Sequence, residues 1–148
     1  MMMLQYPTAI FMVSRLNNDY RVIYLDGRER VSESKLDRNW HGESLGHWEG
    51  DTLVIETKNF KRWVLDDYFY TDPNEYRMHS DALTTIERIK WKSADAISYE
   101  LTLDDPKIFT RPWSQEFEIQ TRPEWDDAGI VEYICPENNR CPGGFCDN

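Results

Sequence analysis

The chain has 148 residues. That is enough for one domain that buries about two-thirds of its unfolded surface, so its core needs no metal or disulfide support. Asp and Glu number 27 against 17 Lys and Arg, a net charge of −10, which argues against nucleic acid or an anionic membrane as partner, because both present phosphates. Six Trp, eight Tyr and six Phe are too many for a disordered acidic tail. No apolar run approaches the ~20 residues of a transmembrane helix, so the sequence reads as a soluble acidic globular domain without membrane insertion.

Strand signals follow in chain order. Ile10, Met12 and Ser14 alternate with Phe11, Val13 and Arg15; Tyr20, Val22 and Tyr24 alternate with Arg21, Ile23 and Leu25. Leu16-Asn17-Asn18-Asp19 between them is turn chemistry, so the pair predicts a hairpin closed by Asp26-Gly27. Residues 29–39 are polar, carry no period and read as a loop. Ser44 to Glu49, Gly50-Asp51 and Thr52 to Thr57 predict a second hairpin, with Gly50 where the turn needs positive φ. Residues 58–78 hold Phe60, Trp63, Tyr68, Phe69 and Tyr70. They read as a long aromatic connection with one short helical turn near Trp63 to Tyr68, and loops of that length often line binding sites. Further strands are predicted over 82–91, 96–103, 114–121 and 130–135. No segment sustains a helical period over three turns.

Seven or eight short strands in sequential hairpins predict an all-β fold, an antiparallel meander closing into a small barrel of the calycin/lipocalin kind, with a β-sandwich as alternative. Residues 1–139 form the single domain on this reading and 140–148 a cysteine-containing tail. A small barrel can hold one ligand.

Alternation assigns faces. Leu83, Thr85, Glu87, Ile89 and Trp91 share one face; Ile97, Tyr99, Leu101 and Leu103 share another; Phe117 and Ile119 oppose Glu116, Glu118 and Gln120. Glu87 and Glu132, the latter between Ile130 and Ile134, are carboxyls on apolar faces. An unpaired carboxyl in such a place is costly when ionised and becomes a candidate acid or base. The alternative is a Glu paired with Arg88 or Arg122, or standing at a barrel mouth.

His41, His47 and His79 fit no helical metal motif. His79 follows the aromatic loop and precedes a strand, which suits a barrel mouth and proton transfer; the alternative is a hydrogen-bonded structural histidine. Cys135, Cys141 and Cys146 do not match zinc-ribbon spacing. One disulfide with a free thiol, or a buried Cys135 with two tail thiols, both fit the spacing. Dinucleotide, phosphate-loop and nucleophile-elbow motifs are missing, so the reading carries no cofactor and no metal. Asp104-Asp105-Pro106 reads as a solvated turn.

Several segments together form a recognisable set. They are Ile23-Tyr24-Leu25-Asp26-Gly27-Arg28, the run Trp40-x-Gly42-x-Ser44-x-Gly46-x-Trp48-Glu49-Gly50-Asp51-Thr52-Leu53-Val54, Asn59-Phe60, His79-Ser80-x-Ala82-Leu83, Glu87-Arg88, Asp104-Asp105-Pro106 and Glu132-Tyr133-x-Cys135. Over about residues 2–139 the chain resembles a largely uncharacterised bacterial family of exported proteins with a Gly-x-Trp-Glu-Gly-Asp-Thr-Leu signature. The resemblance implies a periplasmic or secreted location and brings no activity with it. Family members carry a signal peptide and a further N-terminal stretch, so this chain, which shows no signal peptide of its own, reads as a mature or truncated form. Export in the family also implies a Cys141–Cys146 or Cys135–Cys141 disulfide, while the tail cysteines lie outside the family pattern.

The leading functional expectation is a cofactor-independent acid–base enzyme of isomerase, hydratase, lyase or cyclase type, acting on a small, largely apolar molecule. His79, Glu87 and Glu132 would exchange protons in one cavity, with Trp40, Trp48 and Tyr70 at its wall or mouth. A barrel that binds a small ligand without chemistry, and a protein-interaction domain, are the alternatives; the reading also allows a homodimer.

Overall fold

A computed structural model describes residues 2–14, 19–32, 35, 37–66 and 77–120. Alternating β-branched and aromatic residues build an all-β fold with no α-helix among these residues. Eight strands form one sheet in the order β1 (Met2–Tyr6), β2 (Ala9–Val13), β3 (Tyr20–Tyr24), β4 (Glu43–Glu49), β5 (Thr52–Lys58), β8 (Thr84–Trp91), β9 (Ala96–Asp104) and β10 (Trp113–Gln120). The sheet curls strongly into a half-barrel. β6 (Trp63–Asp66) and β7 (Arg77–His79) form a separate two-stranded sheet.

Every neighbouring pair in the large sheet is antiparallel except one. β3 and β4 run parallel and pair only at Ile23↔Ser44 and Tyr24↔Leu45. The long polar connection between them makes this possible, because it carries the chain back to the end from which β3 started. That connection is tied down by Arg30, whose guanidinium donates to the backbone oxygens of Glu43 (2.7 Å) and Glu56 (2.8 Å) and to the Glu56 carboxylate. Arg28 stacks over the Tyr24 ring at 3.6 Å and pairs with Asp26.

The core lies on the concave face. Ile10, Met12, Ile23, Leu53 and Ile55 are buried there, with Leu25 and Ile89 packed against them. Fully burying one such side chain contributes roughly 1.5–3 kcal/mol. Gly46 lets β3 approach, since a Cβ at that position would lie 2.8 Å from Cγ2 of Ile23 and 3.0 Å from Cδ2 of Leu25. At one end, fully buried Asp105 accepts from the Ser80 amide (2.6 Å), the Ser80 hydroxyl (2.7 Å) and the Lys107 amide (3.2 Å). Asp105 is therefore a buried clamp between two turns and not the solvated turn residue that the sequence suggested.

Two other expectations change, and one strand is added that the sequence pattern did not suggest. Trp63–Asp66 is a strand and no helical turn, because Trp63 and Val64 pair with His79 and Met78. β1 carries no alternation in its sequence and is exposed along its length, held by its ladder to β2. Phe117 and Ile119 oppose Tyr99 and Ile97 across the β9–β10 ladder, yet every residue of β10 is exposed. The predicted strand 130–135 with Glu132, the three cysteines, Tyr70 and the boundary at 139/140 lie outside the described residues.

Candidate functional site

Where β3 and β4 stop pairing, the sheet forks. Residues 20–22 and 39–43 flank a cavity of about 770 Å³ whose wall includes Arg21, Tyr20, Tyr24, Trp40 and Ser44. His41 Nε2 reaches the Asp19 carboxylate at 2.8 Å across this fork.

Arg21 shares the concave face with Ile23 and points along it. Its Nε donates to Ser44 Oγ on β4 (2.8 Å), Nη2 to Thr57 Oγ1 on β5 (2.7 Å), and Nη1 to Glu87 Oε1 on β8 (3.0 Å); Nη2 also pairs with Glu87 Oε2. Ser44 and Thr57 face each other in the β4–β5 ladder and share a hydrogen bond of 3.0 Å. Their short side chains leave room for the guanidinium to cross two strands, and the curl of the sheet brings β8 within its reach. The Tyr99 hydroxyl donates to Glu87 Oε1 at 2.7 Å. Burial pushes the Tyr99 hydroxyl well above the usual tyrosine range, and the adjacent Glu87 charge adds to the effect.

Glu87 is thus a buried carboxylate, 4% exposed, whose partner is Arg21. Arg88, the partner considered from sequence, points away and pairs with Glu49 at 2.6 Å on the other face. A fork-shaped cation against a carboxylate in a low-dielectric site fixes both groups in place. Four of the five Arg21 N–H bonds have acceptors among the described residues, which leaves one on Nη1.

The other residues singled out from sequence are dispersed. Trp40 lines the cavity and meets Trp63 edge-on at 4.6 Å between ring centroids. His79 is buried in the β6–β7 sheet, with Nδ1 3.0 Å from the Ser80 carbonyl oxygen and its ring against Phe60. Trp48 lies opposite Leu53 in the β4–β5 ladder and is half exposed. Glu132 and Tyr70 are outside the described residues. Arg21, which sequence reasoning passed over, carried the same signal as Glu87: a charged residue in step with Ile23 and Leu25 on an apolar face.

Among the described residues no cluster of three His, Cys, Asp or Glu side chains could hold a metal ion. Comparison with protein-family models, with curated proteins and with solved structures gives no match to this chain.

Proposed function

We propose that this chain is a small-ligand-binding half-barrel that takes one small molecule into the fork between β3 and β4. The observation that carries the reading is the cavity of about 770 Å³, a size that suits a small ligand. Tyr20, Tyr24 and Trp40 stand in its wall among charged side chains that include Asp19, Arg28, Lys35 and Glu43. Arg21, held rigid by Ser44, Thr57 and Glu87, adds a fixed cation to the same wall, so the ligand has an aromatic body and an anionic or hydrogen-bond-accepting end. Pre-organisation of that cation lowers the ordering cost of binding.

A second reading, acid–base catalysis at Glu87, draws on the Tyr99–Glu87 hydrogen bond. The Arg21 pair weighs toward binding, because both Glu87 oxygens are engaged by the guanidinium and the carboxylate braces that cation. The resemblance to the exported family carries no activity, so the reading rests on the cavity.

The test is titration of the full chain with 8-anilinonaphthalene-1-sulfonate, which has an aromatic body and an anionic end. Saturable one-to-one binding is expected, weakened about tenfold in Trp40→Ala, equivalent to about 1.4 kcal/mol. Binding that does not saturate, or is equal in wild type and Trp40→Ala, overturns the reading.

A further inference from the structure

A second cleft, of about 520 Å³, shares no lining residue with the fork. Arg38, Lys61, Arg62 and Lys107 line it, with Asp81 as the one acid. In a chain of net charge −10 this is an inversion of the prevailing sign. The acid is already neutralised: Lys107 reaches it at 2.6 Å and, with help from Arg38, holds its carboxyl below the usual range. Among the described residues Arg62 has no acidic partner, and Lys61 lies over the Trp40 ring at 4.4 Å, where its charge is not cancelled.

The backbone that presents these cations is braced from three sides. The Lys61 amide donates to the Asn39 carbonyl oxygen at 2.8 Å, beside a bridge between Asn39 and Phe60. Asp105 clamps Ser80, and its carbonyl oxygen accepts from Ile108 (3.0 Å) and Phe109 (2.7 Å) in the turn that carries Lys107. Cations of one sign gathered in a concave cleft raise the local concentration of anions, the more so at low salt.

We propose that this cleft binds a small, multiply charged oxyanion. The Arg62 guanidinium fork and the Lys61 ammonium beside it match phosphate or carboxylate oxygens, and Lys107 joins them while paired to Asp81. The volume holds a small molecule, and the acidic remainder of the chain repels a nucleic-acid backbone that would extend past the cleft. The shared chemistry of the ligand is two or more anionic oxygen groups, on a phosphate ester or on a polycarboxylate.

Calorimetric titration of the full chain with pyrophosphate and with citrate, at constant ionic strength, tests this. One-to-one binding of at least one of them is expected, and the tighter of the two names the source of the oxygens. Arg62→Ala should weaken it about tenfold and Lys61→Ala/Arg62→Ala further, with affinity falling as salt rises. Lys92→Ala removes a cation outside the cleft, one paired with Glu118, and should leave affinity unchanged. All three substituted residues are exposed, and an unchanged circular dichroism spectrum confirms that the variants fold. Failure of both anions to bind, or equal loss in Lys92→Ala and Arg62→Ala, overturns the proposal.

Discussion

Arg21 and Glu87 stand 66 positions apart and meet on a concave wall where each would be costly alone. Removing one member leaves the other buried and uncompensated, whereas removing both restores an apolar surface. Arg21→Met should therefore lower stability by about 3 kcal/mol. Arg21→Met/Glu87→Met should recover much of that, and urea unfolding of the four members of this cycle measures the coupling. Tyr99 gives a pH test of the same cluster. Its folded pKa lies above the unfolded value, so its contribution is complete below about pH 10 and is lost as pH rises through the folded value. Wild-type stability should therefore begin to fall above about pH 10, and Tyr99→Phe should flatten that decline in alkaline denaturation curves.

At the level of strands and turns, two sequence patterns turn out to be structural joints. Gly46 is a point of contact with Ile23, and Gly46→Val should force β3 and β4 apart and cost about 2 kcal/mol or more, read from the thermal midpoint. Asp105 satisfies two amides and a hydroxyl at full burial, so Asp105→Ala should cost about 3 kcal/mol, and Ser80→Ala less, because the Ser80 amide keeps its bond to Asp105 while the two hydroxyl bonds, to Asp105 and from the Ala82 amide, go. These joints also show how far the sequence could be read. β2, β3 and β8 to β10 announced themselves by period-two alternation, β4 and β5 by the Gly50-Asp51 turn between them, and Glu87 by its place in that period. The Met2–Tyr6 strand did not, since it buries nothing and so needs no pattern. β6 and β7 did not, because Trp63 and His79 become strand partners only through pairing across the aromatic connection. The identity of the Glu87 partner was hidden for a different reason. Alternation gives the face of a side chain but not the curvature that decides which distant strand lies opposite it.

For the molecule as a whole, exposed carboxylates paired to cations set the acid limit. Arg28 holds Asp26 below its usual range, Arg88 and then His47 do so for Glu49, and Lys90 and Lys92 act likewise on Asp51 and Glu118. A depressed folded pKa contributes stability above the unfolded value of about 4, and that contribution is lost as pH falls through the folded one. The thermal midpoint should therefore hold steady from neutral pH down to about 5 and drop below about 4, more sharply in low salt than in 0.5 M salt, where screening has already weakened the pairs.

The two-residue junction between β3 and β4 has a consequence for how the sheet opens. β1 to β3 form one antiparallel block and β4, β5 and β8 to β10 another, and backbone bonds join the blocks over only two register pairs. What holds them together is lateral: Ile10, Met12 and Ile23 against Leu53 and Ile55, and the Arg21 guanidinium reaching β8. Such a seam divides the domain into two cooperative units of unequal tenacity. Amide hydrogens of β2 and β3 should therefore exchange with deuterium through a partial opening of lower free energy than the global unfolding that releases those of β5, β8 and β9. Native-state exchange across a denaturant series would reveal it as two distinct isotherms, and Arg21→Met should widen the gap between them.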